Sequence, residues 1–190
     1  MAYIEMLIVI AILFVASMFI AFKQPLLKME DVLKDINAGF NIRKQMMEGI
    51  LNKVREVSPE EALSLEKKME LFNKLDEEKN LKKKVELDED LEDCVVSFLT
   101  VGDRCLALED NFSYIELSLH YKELEIRIIN AKFKYNGFVT KYTERSEKAM
   151  CKPFYKLYRF KKQNELYLSD KIKDVLTRKP DHEEVACEEN

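Results

Sequence analysis

Apolar residues recur at alternating steps of three and four along the stretch from Tyr114 to Tyr142. The positions are Tyr114, Leu117, Tyr121, Leu124, Ile128, Ala131, Tyr135, Phe138 and Tyr142. This 3.5-residue repeat is typical of a helix whose seam stays against a partner, as in a coiled coil. A second apolar stripe runs beside it, at Phe112, Ile115, Leu119, Ile126, Ile129 and Phe133. We therefore predict one long helix with more than one partner, which leaves five charged residues for water: Lys122, Glu123, Glu125, Arg127 and Lys132.

The N-terminal stretch from Met6 to Phe22 contains no charged residue, and Ser17 is its single polar one. With Tyr3 and Ile4 it reaches roughly 20 residues, which is enough to cross a bilayer as a helix. A cleavable signal peptide and a buried globular helix are the competing interpretations. A signal peptide fits less well, because Glu5 and no Lys or Arg precede the stretch and no A-x-A site follows it. We predict a single-pass transmembrane anchor over residues 1–24.

Charge beside the predicted span indicates its orientation. The amino terminus is the only basic group before the span, whereas Lys23, Lys28 and Lys34 follow it. Because positively charged flanks stay inside, we expect the N-terminus outside the cell membrane and the rest of the chain in the cytoplasm. Free thiols suit that compartment. The chain has four cysteines, none of them in a C-x-x-C pair: Cys94, Cys105, Cys151 and Cys187.

A helical apolar stripe from Leu26 to Val57 predicts that a long helix follows the span, with Pro25 marking the exit from the membrane. Gly39 and Gly49 lie within this helix and are tolerable if another helix packs closely there. Arg43 falls near the apolar seam. We expect its long side chain to reach water from that position.

The remaining pattern completes an all-α chain with few turns, since only 4 Gly and 4 Pro occur. The capping box Ser58–Glu61 starts the next helix. Acidic residues at Asp88–Asp90 start a third, whose apolar stripe ends near Leu106. We predict an elongated antiparallel four-helix bundle over residues 25–170, in which the fourth helix returns to the membrane. Residues 171–190 are acidic and lack apolar periodicity, so we predict disorder there.

The residue pattern gives little support to catalysis or to nucleic-acid binding. A net charge of −4 is too small to indicate a nucleic-acid partner. Glu116 and His120 could share a ligand face, but a di-iron bundle needs Glu-x-x-His on two helices, and neither copy is present. His182 and Cys187 lie in the acidic tail, where we prefer a solvated chain to a metal-binding tract. We therefore predict no enzymatic activity, no metal and no cofactor.

A basic segment rich in aromatic residues follows the long helix. Between Lys141 and Lys162 there are eight basic residues, but only Glu144 and Glu147 as acids. Anionic lipids attract such residues, and aromatic rings favour the membrane interface. Contact with the membrane surface and packing of the rings back on the bundle are two open interpretations. The residues predicted to meet the membrane are Lys148, Lys152, Phe154, Tyr155, Lys156, Tyr158, Arg159, Lys161 and Lys162.

Several motifs resemble those of the LemA family of bacterial membrane-anchored helical bundles. Glu125-Ile126-Arg127-Ile128 looks like the family's E-x-R-I. Ala131 to Tyr135-Asn136 looks like A-R-x-x-Y-N, and Tyr142 fits the tyrosine of the motif that follows. Leu157-Tyr158-Arg159-Phe160 is similar to L-F-G-F, with Arg159 in place of the glycine. The first helix after the span also matches the family's spacing of apolar and basic positions.

The resemblance implies the fold more than the function. It implies a bundle without established enzymatic activity, and some members of the family are linked to membrane remodelling or organelle formation. We expect a scaffold or interaction protein at the cytoplasmic face, with a protein partner or self-association. The alternative is a sensory module that relays a signal through its single span. Arg127 and Tyr135-Asn136 are predicted to form a buried polar contact, and the motif residues with a structural role are Glu125, Arg127, Tyr135, Asn136 and Tyr142.

Overall fold

A computed structural model of the chain describes residues 2–148 and 150–177. All regular elements in these residues are helical, which confirms the predicted all-α class. Three short 3₁₀ turns, Asp88–Leu91, Gly102–Arg104 and Leu106–Leu108, flank the fourth helix. The α-helices are α1 (Ala2–Val57), α2 (Pro59–Asp76), α3 (Leu81–Leu87), α4 (Glu92–Leu99), α5 (Phe112–Glu147), α6 (Lys152–Leu157) and α7 (Asp170–Thr177).

The predicted span and the first bundle helix form one continuous helix. α1 has 56 residues, which makes it about 84 Å long at 1.5 Å per residue. Its N-terminal part is the one described segment long and apolar enough to cross a membrane, and the bundle leaves it uncovered. Pro25 lies inside the helix, where it cannot donate to the carbonyl of Ala21. Arg145 of α5 donates to that carbonyl instead, so the lost helical hydrogen bond is replaced.

α5 runs antiparallel to α1 and forms the most extensive helix contact of the fold. Phe22 meets Tyr142 at the apolar end of α1, and Gly49 faces Leu117 near the other end. A Cβ on Gly49 would lie 2.9 Å from Leu117 Cδ2, so the helices approach closely where the glycines occur. The end of α5 therefore returns to the end of the predicted span, as expected.

The first apolar stripe of α5 is largely buried, whereas the second is largely exposed. The first is buried against α1, with Tyr121 and Tyr135 almost inaccessible to solvent, as predicted. The second stripe was expected to meet another helix, and this prediction is wrong for most of its length. Phe112 is 77% exposed and Leu119 is 56% exposed. The reason is that α2 packs on α1 and α4 packs on α2 and α7, so α5 has little contact beyond α1.

Two further predictions, about the third helix and about the C-terminal residues, differ from the structure. The third helix has only eight residues, Glu92–Leu99, because 3₁₀ turns replace its expected ends. The predicted disorder is wrong for residues 171–177, which belong to α7. This helix packs on α4 and buries Ile172. Two long antiparallel helices with shorter ones along them thus describe the fold better than four long helices. Residues 178–190 lie outside the described residues.

The core consists of two clusters along the α1–α5 pair. The distal core, far from the apolar end of α1, joins α2, α4 and α7 to the C-terminal part of α1. The proximal core, near the apolar end, joins α1 to the second half of α5 and to the segment after it. Members of the distal core include Met47, Ile50, Val54, Leu65, Met69, Phe72, Val95 and Phe98. Members of the proximal core include Phe22, Met29, Ile36, Phe40, Ile128, Tyr135, Val139 and Tyr142.

Candidate functional site

The basic-aromatic segment forms a structure that we call the collar, residues 150–162, beside the apolar end of α1. Pro153 stands in the first turn of α6, where its missing N–H costs nothing. The aromatic rings pack on α1: Phe154 lies 5.7 Å from Phe14, measured between ring centroids. Tyr158 lies 5.0 Å from Phe19 on the same measure. Both partners belong to the predicted span, so the rings pack back on the protein, which is the second of the two interpretations. Contact of the segment with the membrane surface stays a prediction.

Phe22 is the centre of this contact. It is completely buried, and its ring centroid lies 5.3 Å from that of Phe160 and 6.0 Å from those of Tyr142 and Tyr155. Aromatic pairs at such separations add roughly 0.5–1.5 kcal/mol each beyond the burial of area. The collar is therefore held on α1 and α5 by ring packing.

The outer surface of the collar combines positive charge with exposed apolar groups. Met150 is 72% exposed and Leu157 is 70% exposed. Residues 148–162 contain no acid. This combination is typical of helices that lie in the interface of an anionic membrane. The predicted contact residues that face solvent are Lys148, Lys152, Lys156, Arg159, Lys161 and Lys162.

Arg159 adopts a backbone conformation that favours glycine. Its φ is 52°, and it is the only non-glycine residue with positive φ in the described part of the chain. The N–H of Phe160 donates to the carbonyl of Tyr155 at 3.2 Å, and the N–H of Arg159 donates to that of Lys156 at 3.1 Å. These two bonds define a Schellman motif, in which glycine is the usual residue at the Arg159 position. An arginine there costs about 1–2 kcal/mol of backbone energy.

The chain after the collar is attached to α5 by polar contacts. The side chain of Asn136 donates to the carbonyl of Leu166 at 2.8 Å and accepts from the backbone N–H of Leu166 at 2.7 Å. The hydroxyl of Tyr142 donates to the carbonyl of Lys161 at 3.2 Å. Asn136 and Tyr142 thus hold the segment after the collar against α5.

The predicted contact between Arg127 and Tyr135-Asn136 is wrong. Arg127 is exposed and lies 4.0 Å from Glu123 of its own helix. Tyr135 is buried in the proximal core. Arg127 and Tyr135 are eight residues apart on the same helix, roughly 12 Å along its axis, so their side chains do not meet.

A buried ion cluster lies between the two cores. Arg43 donates to Glu125 twice, from Nε to Oε1 at 2.7 Å and from Nη2 to Oε2 at 2.6 Å. It also donates to Asp88. Lys132 donates to the second oxygen of Asp88 at 2.6 Å. The expectation that Arg43, Glu125 and Lys132 reach water is therefore wrong, because each finds an opposite charge within the core.

The cluster contains two cations and two carboxylates, and its pKa shifts follow from burial and from these pairs. Burial opposes ionisation of Asp88, but Arg43 and then Lys132 outweigh it and hold the pKa of Asp88 below its usual value. Burial raises the pKa of Glu125, and Arg43 offsets only part of this effect. The Tyr121 hydroxyl is also buried and completes no hydrogen bond. Each charge has a partner, so we interpret the cluster as a structural element.

The candidate metal ligands do not assemble in the described part of the chain. Glu116 and His120 are both exposed, and no three His, Cys, Asp or Glu side chains gather into a metal site among residues 2–148 and 150–177. Cys94, Cys105 and Cys151 are buried and unpaired. His182 and Cys187 lie outside the described residues.

Comparison with known proteins shows to which family the chain belongs. The model of the LemA family matches residues 32–177, which is most of the chain. The chain belongs to the LemA family. No curated protein and no solved structure matches it. The LemA match begins within α1, after the predicted span, and includes the ion cluster, the collar and α7.

Sequence reasoning missed the ion cluster of this LemA protein, although two signals pointed to it. Arg43 stands on an apolar stripe, and a charge on a core face needs a buried partner. Glu125 and Lys132 are seven residues apart on α5, one heptad, and so lie on one face. Asp88 gave no signal, because it comes from a 3₁₀ turn whose position depends on the packing of α3 and α4.

Proposed function

We propose that this LemA protein is a membrane-anchored scaffold or interaction protein whose collar lies in the interface of the leaflet that faces the bundle. One observation carries the proposal: the collar packs its rings on Phe14, Phe19 and Phe22 of the apolar part of α1. If that part of α1 crosses the bilayer, the collar lies at the depth of the lipid headgroups and upper acyl chains. The exposed side chains of Met150 and Leu157 then enter an apolar medium.

The charge around this end of the molecule supports a cytoplasmic bundle. Lys23 and Lys28 follow the apolar stretch on α1, and the collar adds its own exposed basic residues at the same end. Positive charge next to a span favours the cytoplasmic side, and the anionic inner leaflet attracts each basic residue by about 1 kcal/mol. The proposed location is therefore the cell membrane, with the N-terminus outside.

The proposed task is to hold an interaction surface at the inner face and to organise or remodel the membrane there, without catalysis. The exposed second stripe of α5 supports this task. Apolar patches of this kind often mark surfaces for a protein partner or for a second copy. The stripe residues that are most exposed are Phe112, Ile115, Leu119, Ile126 and Phe133.

The depth of the collar tests the proposal directly. The chain has no Trp, so Leu157→Trp gives a single fluorescent reporter on the collar. We expect lipids brominated along their acyl chains to quench this reporter in vesicles that contain the full-length protein. Leu63→Trp on α2 is the matched control, because Leu63 is 55% exposed in the part of the bundle far from the span. Equal, weak quenching of both reporters would contradict a collar in the membrane.

A signalling module is the second candidate, and the continuity of α1 favours it. No break separates the span from the bundle helix at Pro25, so a displacement of one part can be transmitted to the other. Four glycines inserted after Lys28 would interrupt that rod but leave the exposed stripe of α5 unchanged. A scaffold should keep its cross-linked partners in native membranes after this insertion, whereas a relay should lose its response.

A further inference from the structure

A groove runs along the apolar part of α1 next to the collar. Its walls are Tyr158 and six α1 side chains between Ile8 and Phe19, and its volume is about 630 Å³. Eleven residues of helix separate Ile8 from Phe19, which corresponds to roughly 16 Å. One leaflet of the hydrocarbon core is about 15 Å thick. The groove therefore has the length and the apolar lining that one lipid acyl chain requires.

Positive charge lies where the groove meets the bundle. Lys23 Nζ is 5.5 Å from the ring centroid of Phe19, and Phe19 is a wall of the groove. Arg159 follows Tyr158, whose ring packs on Phe19 at 5.0 Å between centroids, at the end of the groove nearest the bundle. Both basic side chains are exposed. The nearest acids in the sequence after the span are Glu30 and Asp31, two turns beyond Lys23 on α1. The mouth of the groove thus carries positive charge, which complements an anionic headgroup.

The conformation of Arg159 is an independent indication. Its φ of 52° is strained for a residue with a side chain, and strain of this kind concentrates at functional sites. Packing does not account for the choice of arginine, because the side chain is exposed and glycine would fit the Schellman motif without strain. Arg159 is next to Tyr158, a residue that lines the groove, and arginine binds phosphate with a planar pair of donors. A role in holding an anionic group therefore accounts for the arginine.

We propose that the groove and its mouth form a site for one anionic phospholipid of the leaflet that faces the bundle. An acyl chain lies along α1 from Ile8 to the packed rings of Phe19 and Tyr158. The phosphate is held by Lys23 and Arg159. This inference rests on the proposed membrane anchoring, and it goes further by naming a selective site where the proposed function needs only general contact with the membrane.

Tyr158→Trp places a single reporter inside the groove of the full-length protein. The probe is phosphatidylglycerol brominated on its acyl chains, present as a minor component of phosphatidylcholine vesicles, and compared with brominated phosphatidylcholine at the same mole fraction. We expect several-fold stronger quenching by the anionic lipid. Ile20→Trp is the control: Ile20 is 56% exposed, adjoins Phe19 at almost the same depth, and does not line the groove. Its quenching should be the same with both lipids.

Two charge variants of the Tyr158→Trp protein test whether Arg159 and Lys23 hold the phosphate. Arg159→Gly removes the guanidinium and relieves the strained backbone, so it should leave the protein at least as stable while reducing the preference for the anionic lipid about fivefold. Lys23→Gln should reduce it similarly. Lys141→Gln removes one charge from α5 outside the collar and should leave the preference nearly unchanged. A purely structural role for Arg159 would change stability without changing lipid preference.

The outcomes separate this inference from the proposed function. Absence of quenching at Ile20→Trp with either lipid would contradict the membrane anchoring itself. Quenching of both reporters without any preference for phosphatidylglycerol would overturn the selective site and leave the anchoring intact. A preference for phosphatidylglycerol that survives both Arg159→Gly and Lys23→Gln would overturn the claim that these two residues hold the phosphate.

Discussion

The distal and proximal cores are parts of one α1–α5 pair, yet they are built differently. The distal core is formed within the bundle from largely aliphatic side chains and Met, because α2 packs on α1, α4 packs on α2, and α7 packs on α4. The proximal core is closed by aromatic rings from the collar, and Phe22 at its centre belongs to the apolar stretch that is predicted to cross the membrane. Aromatic residues suit a site that is apolar at one end and wet at the other. The ordinary bundle core thus lies away from the predicted membrane.

The ion cluster lies at the junction of the two cores. Arg43 comes between Phe40, a member of the proximal core, and Met47, a member of the distal core. Buried pairs of this kind rarely add much net stability, but they disfavour any register of the helices in which a charge loses its partner. We therefore expect the cluster to help fix the register of α5 on α1. Five predictions test this difference between the two regions.

Removal of Arg43 should have the largest effect. Arg43→Met leaves Glu125 and one oxygen of Asp88 buried without their cation, and breaking a buried pair in this way costs about 3–5 kcal/mol. The free energy of unfolding can be measured by urea titration of the full-length protein in nanodiscs, followed by circular dichroism. The double variant Arg43→Met/Glu125→Leu is the control, because Asp88 and Lys132 remain paired. It should recover most of the loss, and a double variant as unstable as Arg43→Met would contradict the ion-pair explanation.

The cluster also predicts a dependence on pH. The folded-state pKa of Asp88 lies below its usual value of 3.8, so the stability that Asp88 contributes is present above about pH 4 and is lost as the pH falls below it. The contribution of Glu125 to stability depends on pH in the opposite direction and falls as the pH rises, because its folded-state pKa is raised. The difference in unfolding free energy between the native protein and Asp88→Asn should therefore shrink below about pH 4. A difference that stays constant from pH 7 to pH 3 would argue against a lowered pKa of Asp88 in the folded state.

Substitution of the two glycines of α1 by alanine tests how tightly each core is packed. A Cβ on Gly39 would lie 2.9 Å from Ile128 Cγ1 in the proximal core, and a Cβ on Gly49 would lie 2.9 Å from Leu117 Cδ2. Leu117 is only partly buried and can turn its methyl group away, whereas Ile128 is buried. Gly39→Ala should thus cost about 1–3 kcal/mol and Gly49→Ala distinctly less. Gly137→Ala, where no atom lies within 4 Å, should stabilise α5 by up to about 1 kcal/mol.

The contact between Arg145 and Ala21 should depend on Pro25. Arg145→Met leaves the Ala21 carbonyl without a donor and should cost about 1 kcal/mol, the net value of a typical hydrogen bond. Pro25→Ala supplies the missing helical N–H. The loss caused by Arg145→Met should therefore be smaller in the Pro25→Ala background, as a double-mutant cycle would show. Purely additive effects would mean that Arg145 does not act through the proline.

The smallest effect is expected at Tyr121, the residue of the distal core that adjoins the ion cluster. Its hydroxyl is buried and completes no hydrogen bond, so Tyr121→Phe should leave stability unchanged or raise it slightly. Tyr142→Phe in the proximal core removes the bond to the Lys161 carbonyl and should cost about 0.5–1.5 kcal/mol. The same urea titration measures both variants, and a larger loss at Tyr121 than at Tyr142 would reverse the expected order.

Much of the fold could be predicted from local patterns. The first stripe of α5, the glycines that need a close neighbour and the return of α5 to the predicted span are all present in the structure. The second stripe was assigned to the core because periodicity reports which face of a helix is apolar, not whether a partner covers it. The partners of Asn136 and Tyr142 could not be predicted, because Leu166 and Lys161 lie in an irregular segment without a periodic signal.

The sequence by itself determined the long helices α1, α2 and α5, the apolar end of α1 and the positive charge that follows it, because these depend on residues a few positions apart. Only the tertiary structure decided that Arg43, Asp88, Glu125 and Lys132 meet and that the collar closes on Phe22. Those contacts join residues far apart in the chain. A side chain on a helix surface is left to water or buried with a partner according to what packs against it, and that information is absent from any local window.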